Sequence, residues 1–246
     1  MSDRSKEKPP EHGNLPQDER AELKGYSSPA CLLHELDTSF QDLQPGVTLA
    51  PGPKVSAAQD WEEVRLWRKA KRMALIDRRL GLTTVSRAAR SEAITATLEH
   101  ILSRCSGSLI GFYWPFKGEY DPRALVRALH SRGRRFALPV VAGRAAPLVF
   151  REWWPGKPMA QGAWNIPIPA TGDPVEPDLL LVPLVGFDRR RFRLGYGGGF
   201  YDRTLAARPV RPRTIGVGFE ISRIATIHPQ LHDIPMDLIV TETGST

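Results

Sequence analysis

The stretch Ser108-Leu-Ile-Gly-Phe-Tyr-Trp-Pro-Phe-Lys-Gly-Glu-Tyr-Asp-Pro-Arg-Ala-Leu-Val-Arg-Ala-Leu-His-Ser-Arg-Gly-Arg-Arg-Phe-Ala-Leu-Pro-Val-Val141 decides the fold. Its first seven residues are a short apolar run stopped by Pro115, which predicts a buried strand. From Asp121 to Gly133, Leu125, Val126 and Leu129 recur at helical spacing and predict a helix with that side turned inward. Arg135 to Val141 is a second apolar run. Strand, helix and strand within about 30 residues is the pattern of a parallel crossover unit.

Outward from this unit the same alternation continues. Upstream, a helix is expected from about Asp60, which can cap it, with Glu62 and Glu63 in the first turn. Arg65, Arg68, Arg72 and Arg79 share one face of that helix, which on its own reads as a solvated basic face, while Trp67, Ala70 and Ala74 line another. A second helix is expected over Ser86 to Cys105, with Ile94, Leu98, Ile101 and Leu102 as its apolar stripe. Downstream, strands are expected at Pro147 to Glu152, Leu179 to Pro183, Thr214 to Phe219 and Leu238 to Thr241, with a short helix from about Phe200 to Ala207. The fold class is α/β, with a mainly parallel sheet flanked by helices.

The 246 residues carry a formal charge of +7, unevenly spread. The first 60 hold six basic and ten acidic residues, so the body from Trp61 onward is the basic part. A basic body suits nucleic acid, an anionic surface, or small ligands rich in phosphate and carboxylate. Residues 1–59 are rich in proline and short of hydrophobic periodicity, which predicts a largely disordered extension ahead of one domain at 60–246. Within the extension, Tyr26 to Leu36 carries Cys31, Leu32, Leu33 and Leu36 and could form a docking turn or an inert tail. Two cysteines without a CxxC pair indicate neither a disulfide framework nor a cysteine zinc site. No apolar run approaches the roughly 20 residues that span a bilayer. With no signal-like N-terminus, a cytoplasmic protein is expected.

The densest chemical signal runs from Leu181 to Arg203: an apolar strand ending at Pro183, a charged turn, then Arg193-Leu-Gly-Tyr-Gly-Gly-Gly-Phe-Tyr-Asp-Arg203. Gly195, Gly197, Gly198 and Gly199 between a strand and a helix let backbone N–H groups converge on an anion, and Arg193 can complete a phosphate site. Asp202, three residues past the glycines, is placed to hold a magnesium ion that also touches phosphates. His228 and His232, four apart, invite a metal reading that Pro229 and Pro235 oppose, since a continuous helix would be needed.

This segment resembles the signature of the 5-formyltetrahydrofolate cyclo-ligase (methenyltetrahydrofolate synthetase) family. So do Trp164-Asn-Ile-Pro-Ile-Pro169, Phe112 to Asp121, Lys69 to Arg79, and His232 to Glu242, in the family's order. The resemblance spans about Trp61 to Glu242. It implies a single three-layer domain of the NagB/RpiA/CoA-transferase-like type and an ATP- and magnesium-dependent closure of 5-formyltetrahydrofolate to 5,10-methenyltetrahydrofolate. The formyl oxygen would be phosphorylated first, and ADP and phosphate released. ATP would be bound by Lys69, Arg72, Arg193, Gly195, Tyr196, Gly197, Gly198, Gly199, Phe200, Tyr201 and Asp202. Asp202 and Asp237 would hold magnesium. Glu119 and Arg193 would be catalytic, and Phe112, Glu119, Trp164 and Tyr201 would contact the folate, with Phe200 adding an apolar wall. Some members carry Arg and Lys where this chain has Tyr196 and Gly198, so here the phosphate charge must come from Arg193, Arg203 or the helix arginines. The implied partners are ATP and a polyglutamylated folate, rather than a membrane or nucleic acid. Two other readings stay open: a non-catalytic basic member of the fold that binds RNA or a protein, which Arg132 to Arg135 and Arg189 to Arg193 permit, and a sugar-phosphate or acyl-transfer enzyme on a similar sheet.

Overall fold

Leu179 to Pro183 reads as an unbroken apolar run because both of its faces are covered. The computed structural model describes residues 61–105 and 109–246. The N-terminal extension and its Tyr26–Leu36 patch therefore lie outside the described residues. The helices are α1 (Trp61–Leu80), α2 (Thr84–Ser103), α3 (Arg123–His130) and α4 (Phe200–Ala206). The strands are β1 (Leu109–Gly111), β2 (Arg135–Val141), β3 (Leu148–Trp153), β4 (Met159–Gln161), β5 (Pro167–Pro169), β6 (Pro174–Val175), β7 (Leu179–Pro183), β8 (Gly186–Phe187), β9 (Arg193–Leu194), β10 (Arg213–Val217), β11 (Leu238–Thr241) and β12 (Gly244–Ser245). One sheet has the order β12-β11-β10-β7-β1-β2-β3-β6. Its centre, from β11 to β2, is parallel. β3 returns antiparallel to β2 with Phe136 opposite Trp153, and β12 folds back on β11. The expected crossover is therefore present as β1, α3 and β2.

The period-two alternation of the strands feeds two cores. On one face Phe112, Phe136, Leu138, Leu179, Leu181, Ile215 and Val240 pack with Ile94, Leu98 and Leu102 of α2 and Leu125, Val126 and Leu129 of α3. On the other, Ala137, Phe150, Leu180, Val182 and Ile239 pack with Leu205 of α4. Burying a side chain of this size contributes about 1.5–3 kcal/mol, so a doubly covered strand such as β7 anchors the sheet. Thr83, rather than a residue nearer Ser86, starts α2: its hydroxyl accepts from the Ser86 N–H at 3.2 Å. The pair β4–β5 and the hairpin β8–β9 were not expected, because strands of two or three residues carry too little alternation to stand out.

α1 departs most from expectation. Its buried face is Val64, Arg68, Leu75 and Arg79, while Ala70 and Ala74 are exposed. The arginine stripe is thus not a solvated face. Arg68 donates to the carbonyl oxygens of Ile227 and His228 and pairs with Asp233, and Arg79 donates to those of Lys117 and Leu184. Loop carbonyls that lack a ladder partner must find donors elsewhere, and the multi-donor guanidinium provides several at once.

Candidate active site

Parallel strands deliver their following loops to one edge of the sheet, and open α/β sheets bind ligands there. Glu119 lies in the loop after β1. The glycine loop lies beyond β7 and the β8–β9 hairpin. The two meet through side chains: the Tyr196 hydroxyl donates to Glu119 Oε1 at 2.8 Å, and the Tyr196 and Phe116 rings meet edge-on at 5.6 Å. Glu119 Oε2 accepts from the Phe116 N–H at 2.9 Å, and Arg79 Nη2 stands 3.9 Å from Oε1. The turn that presents this carboxylate uses positive φ at Lys117 (47°) and Gly118 (72°). Glu119 is buried, and that burial pushes its carboxyl up to about 7, against the opposing pull of Arg79, the Phe116 N–H and the Tyr196 hydroxyl.

A carboxyl whose folded pKa is raised binds its proton more tightly in the fold than in the unfolded chain. The stability it supports is complete below the unfolded value near 4.5 and is lost as pH rises through about 7. Thermal melts of wild type and Glu119→Gln across pH 4 to 8 should show wild type losing ground to the variant over that window, by on the order of 1–3 kcal/mol. A pH-independent difference between the two would contradict the buried-carboxyl account.

The glycine loop itself is shaped for close approach. Gly197 has φ of +100°, and a Cβ on Gly198 would come within 2.5 Å of the Phe200 ring. Among the described residues, the amide N–H groups from Tyr196 to Gly199 have no protein acceptor. Arg72 Nε donates to the Gly195 carbonyl at 2.8 Å, so α1 reaches the loop, and burial lowers this guanidinium to about 10. Lys69, half-buried on the same helix, makes no hydrogen bond or ion pair to the loop. Arg193 is buried: Nη1 donates to the Ile234 carbonyl at 2.8 Å, and Nη2 faces Asp202 Oδ1 at 2.9 Å as an ion pair but off the line of a hydrogen bond. That leaves a buried, charged donor without an aligned acceptor, a feature that suits a phosphate oxygen. Arg203 donates to the Gly198 carbonyl and so braces the loop from within α4.

The two carboxylates expected at magnesium are held by different partners. Asp202 accepts from the Ile234 N–H at 3.0 Å. Asp237 instead precedes β11, where its carboxylate accepts from the Thr214 N–H at 2.7 Å and hydroxyl at 2.8 Å and pairs with Arg211. Asp202 and Asp237 share no partner, and Asp237 closes the entry of β11 onto β10. The aspartate next in the chain to Asp202's partner is Asp233, which pairs with Arg68; no spacing rule singled it out. Among the described residues no three His, Cys, Asp or Glu side chains gather in a metal-binding group. Magnesium that keeps its waters and arrives on a nucleotide needs only one or two protein carboxylates, and Asp202 fits that role. His228 and His232 pack edge-on against Trp67 and Trp61, with ring centroids 4.6 and 5.9 Å apart.

Of the expected aromatic walls, Trp164 sits in a turn where it and Asn165 adopt φ of 55° and 60°, a strained conformation for side-chain-bearing residues, and its ring meets Phe200 at 5.8 Å. It is 37% exposed and available to a ligand. Phe200 and Tyr201 are partly buried against the second core, with Arg193 over the Tyr201 ring at 5.8 Å. Phe112 is a correction. It is fully buried between Phe136 and Trp153, with ring centroids at 5.9 and 5.2 Å, because the residue after β1 still holds the ladder to Ala137 and points into the core. Phe112→Ala should lower stability by about 3–5 kcal/mol in denaturant titration. A folate-wall residue would instead change substrate KM and spare the fold.

Residues 64–242 match the model of the 5-formyltetrahydrofolate cyclo-ligase family. The chain belongs to that family. It is 29% identical to the 5-formyltetrahydrofolate cyclo-ligase of Haemophilus influenzae over 170 residues, covering 66% of this chain and 91% of the relative. The corresponding protein of Mycolicibacterium smegmatis is 31% identical over 178 residues, covering 69% and 91%. The NMR structure of the Aquifex aeolicus 5,10-methenyltetrahydrofolate synthetase superposes with a TM-score of 0.63 at 27% identity, covering 72% of this chain and 91% of that one. The Mycoplasma pneumoniae synthetase shares the fold, with a TM-score of 0.59 at 23% identity over 71% and 98% of the two chains. The family supports a folate-metabolising ligase, and no helix among the described residues is long and apolar enough to cross a membrane.

Proposed function

We propose that this chain closes 5-formyltetrahydrofolate to 5,10-methenyltetrahydrofolate at the expense of ATP, using the cleft between the Glu119 loop, the glycine loop and Trp164. One observation carries this reading beyond family membership. The carboxylate at one loop and the phosphate-suited glycine loop at another are joined within hydrogen-bond distance through Tyr196. An anion site and a buried carboxylate so close together suit a reaction that joins phosphoryl transfer to ring closure.

The formyl oxygen attacks the γ-phosphorus and ADP departs. The folate 10-nitrogen then attacks the activated formyl carbon, the ring closes, the nitrogen sheds its proton, and phosphate leaves with the former formyl oxygen. Phosphoryl transfer depends on positioning and charge neutralisation. The Tyr196 to Gly199 amides and Arg193 Nη2 donate to phosphate oxygens, while Arg72 fixes the loop through Gly195. Asp202 would hold magnesium, which supplies charge neutralisation at the transferred phosphoryl group. Glu119 accepts a hydrogen bond from the 10-nitrogen and takes its proton as the ring closes; a carboxyl that titrates at about 7 is well matched to that transfer. Trp164 offers its exposed ring to the flat pterin.

The stretch from Arg132 to Arg135 leaves less free charge than it promises to RNA. Arg132 and Arg135 pair with Glu99 and Glu152, and Arg134 donates to the Leu102 and Cys105 carbonyls. Incubating the purified chain with ATP, magnesium and 5-formyltetrahydrofolate should produce the absorbance of the methenyl product, with one ADP formed per product. ADP release without the methenyl chromophore, or neither product, would refute the assignment.

A further inference from the structure

We propose that Arg79 and Tyr196 are positioning residues for Glu119: Arg79 occupies the acceptor side of the Tyr196 hydroxyl, which commits the hydroxyl's single proton to the Glu119 carboxylate and latches the glycine loop to the folate-end loop. The assignment differs from the nucleotide contact that the loop position of Tyr196 suggests. It rests on the proposed function only for its kinetic consequences.

The Tyr196 oxygen has three neighbours: Arg79 Nη2 at 2.8 Å, Glu119 Oε1 at 2.8 Å and the Phe116 carbonyl at 3.4 Å. A guanidinium can only donate, so the tyrosine oxygen must accept from it. The hydroxyl proton then has two acceptors to choose from, and the nearer, charged one wins. Arg79 is itself held rigidly, 2% exposed, with Nε donating to the Lys117 carbonyl and Nη1 to the Leu184 carbonyl, both at 3.0 Å. One side chain therefore touches the folate-end loop, the segment leaving β7, and the glycine loop.

The groups facing Glu119 are few. Arg79 comes from α1, Tyr196 from the glycine loop, Tyr201 from α4, and Tyr113 from the residues that follow β1. Burial and the nearby Glu119 charge keep all three tyrosines neutral well past the physiological range. Arg79 is thus the one fixed positive charge among them, and the Tyr196 hydroxyl is the one that donates to the carboxylate. Both favour the ionised carboxylate over the acid.

The test uses the full chain with Tyr196→Phe, which removes the hydroxyl and keeps the ring against Phe116, and with Arg79→Lys, which keeps the charge and loses the fork. In ligand-free protein, carbon-13 NMR of side-chain carboxyls, with Glu119→Gln for assignment, should show the Glu119 midpoint rising by roughly 1 pH unit in Tyr196→Phe. In the cyclisation assay kcat should fall about tenfold, with the acid limb of its pH profile moved by the same amount and the KM for ATP within about twofold of wild type. In the Glu119→Gln background, Tyr196→Phe should cost nothing further. An unmoved midpoint, a raised ATP KM with an unchanged pH profile, or an equal loss in the Glu119→Gln background would each overturn the proposal. Arg79→Lys should move the midpoint in the same direction as Tyr196→Phe, and an unshifted midpoint in a folded Arg79→Lys protein removes Arg79 from it. If no variant and not even wild type forms methenyl product, the proposed function fails while the NMR titration still decides the latch.

Discussion

Glu119→Gln is expected to lower turnover by about 10²–10⁴-fold, the range typical of a positioned acid–base group, while nucleotide affinity stays near wild type. The separation follows from the geometry. The carboxylate is held by the Phe116 N–H and the Tyr196 hydroxyl, whereas the phosphate-suited donors are Arg193 and the glycine-loop amides. Gln keeps the shape and one acceptor but cannot take a proton. The comparison is Glu152→Gln: Glu152 sits on β3 in an exposed ion pair with Arg135, so that change should leave turnover within about twofold, in keeping with the small worth of surface pairs. Stopped-flow measurement of methenyl formation together with titration of ATP binding checks both. An active Glu119→Gln enzyme, or equal damage from Glu152→Gln, would remove Glu119 from the chemistry.

Asp202→Asn is expected to cut turnover by about 100-fold or more, as loss of a group that neutralises charge in phosphoryl transfer does. Asn can still accept from the Ile234 N–H but cannot balance Arg193, whose guanidinium lies 2.9 Å away in a buried setting. The change therefore acts twice, on magnesium and on the orientation of the phosphate-facing arginine. The diagnostic measurement is ATP affinity across a magnesium titration: wild type should tighten as magnesium rises, and Asp202→Asn should lose most of that dependence. Circular dichroism and thermal melting of the variant separate this from unfolding. Turnover within twofold of wild type, with an unchanged magnesium response, would falsify the role.

Family membership and these two substitutions bear on different links of the chain from sequence to function. Membership speaks for the reaction; the mutants speak for which atoms of this chain perform it. The Phe112 result shows why the second cannot be taken from the first. Phe112, the residue after β1, keeps a ladder hydrogen bond to Ala137 and so packs in the core beside Phe136.

Local pattern was enough for the central crossover, since β2, β7 and β11 occur at the boundaries expected from their apolar runs, and α3 lies within the expected helix. Doubly buried strands and one-sided helices announce themselves through hydrophobic spacing, which is a property of neighbours in the chain. The glycine turn ahead of α4 was legible for the same reason: turn geometry is built from consecutive residues. Pairings across the chain were not. Nothing in the spacing of Arg68, Arg72 and Arg79 distinguishes a solvated stripe from one spent on the carbonyls of Ile227, Gly195 and Lys117, because the acceptors lie 159, 123 and 38 positions away. That the Asp237 carboxylate is held by Thr214 became visible only once β11 was set beside β10. That the Tyr196 hydroxyl meets Glu119 became visible only once the loop was folded against it. A side chain's chemistry is local, but its partner is chosen by tertiary packing, and at this site the partner decides the role.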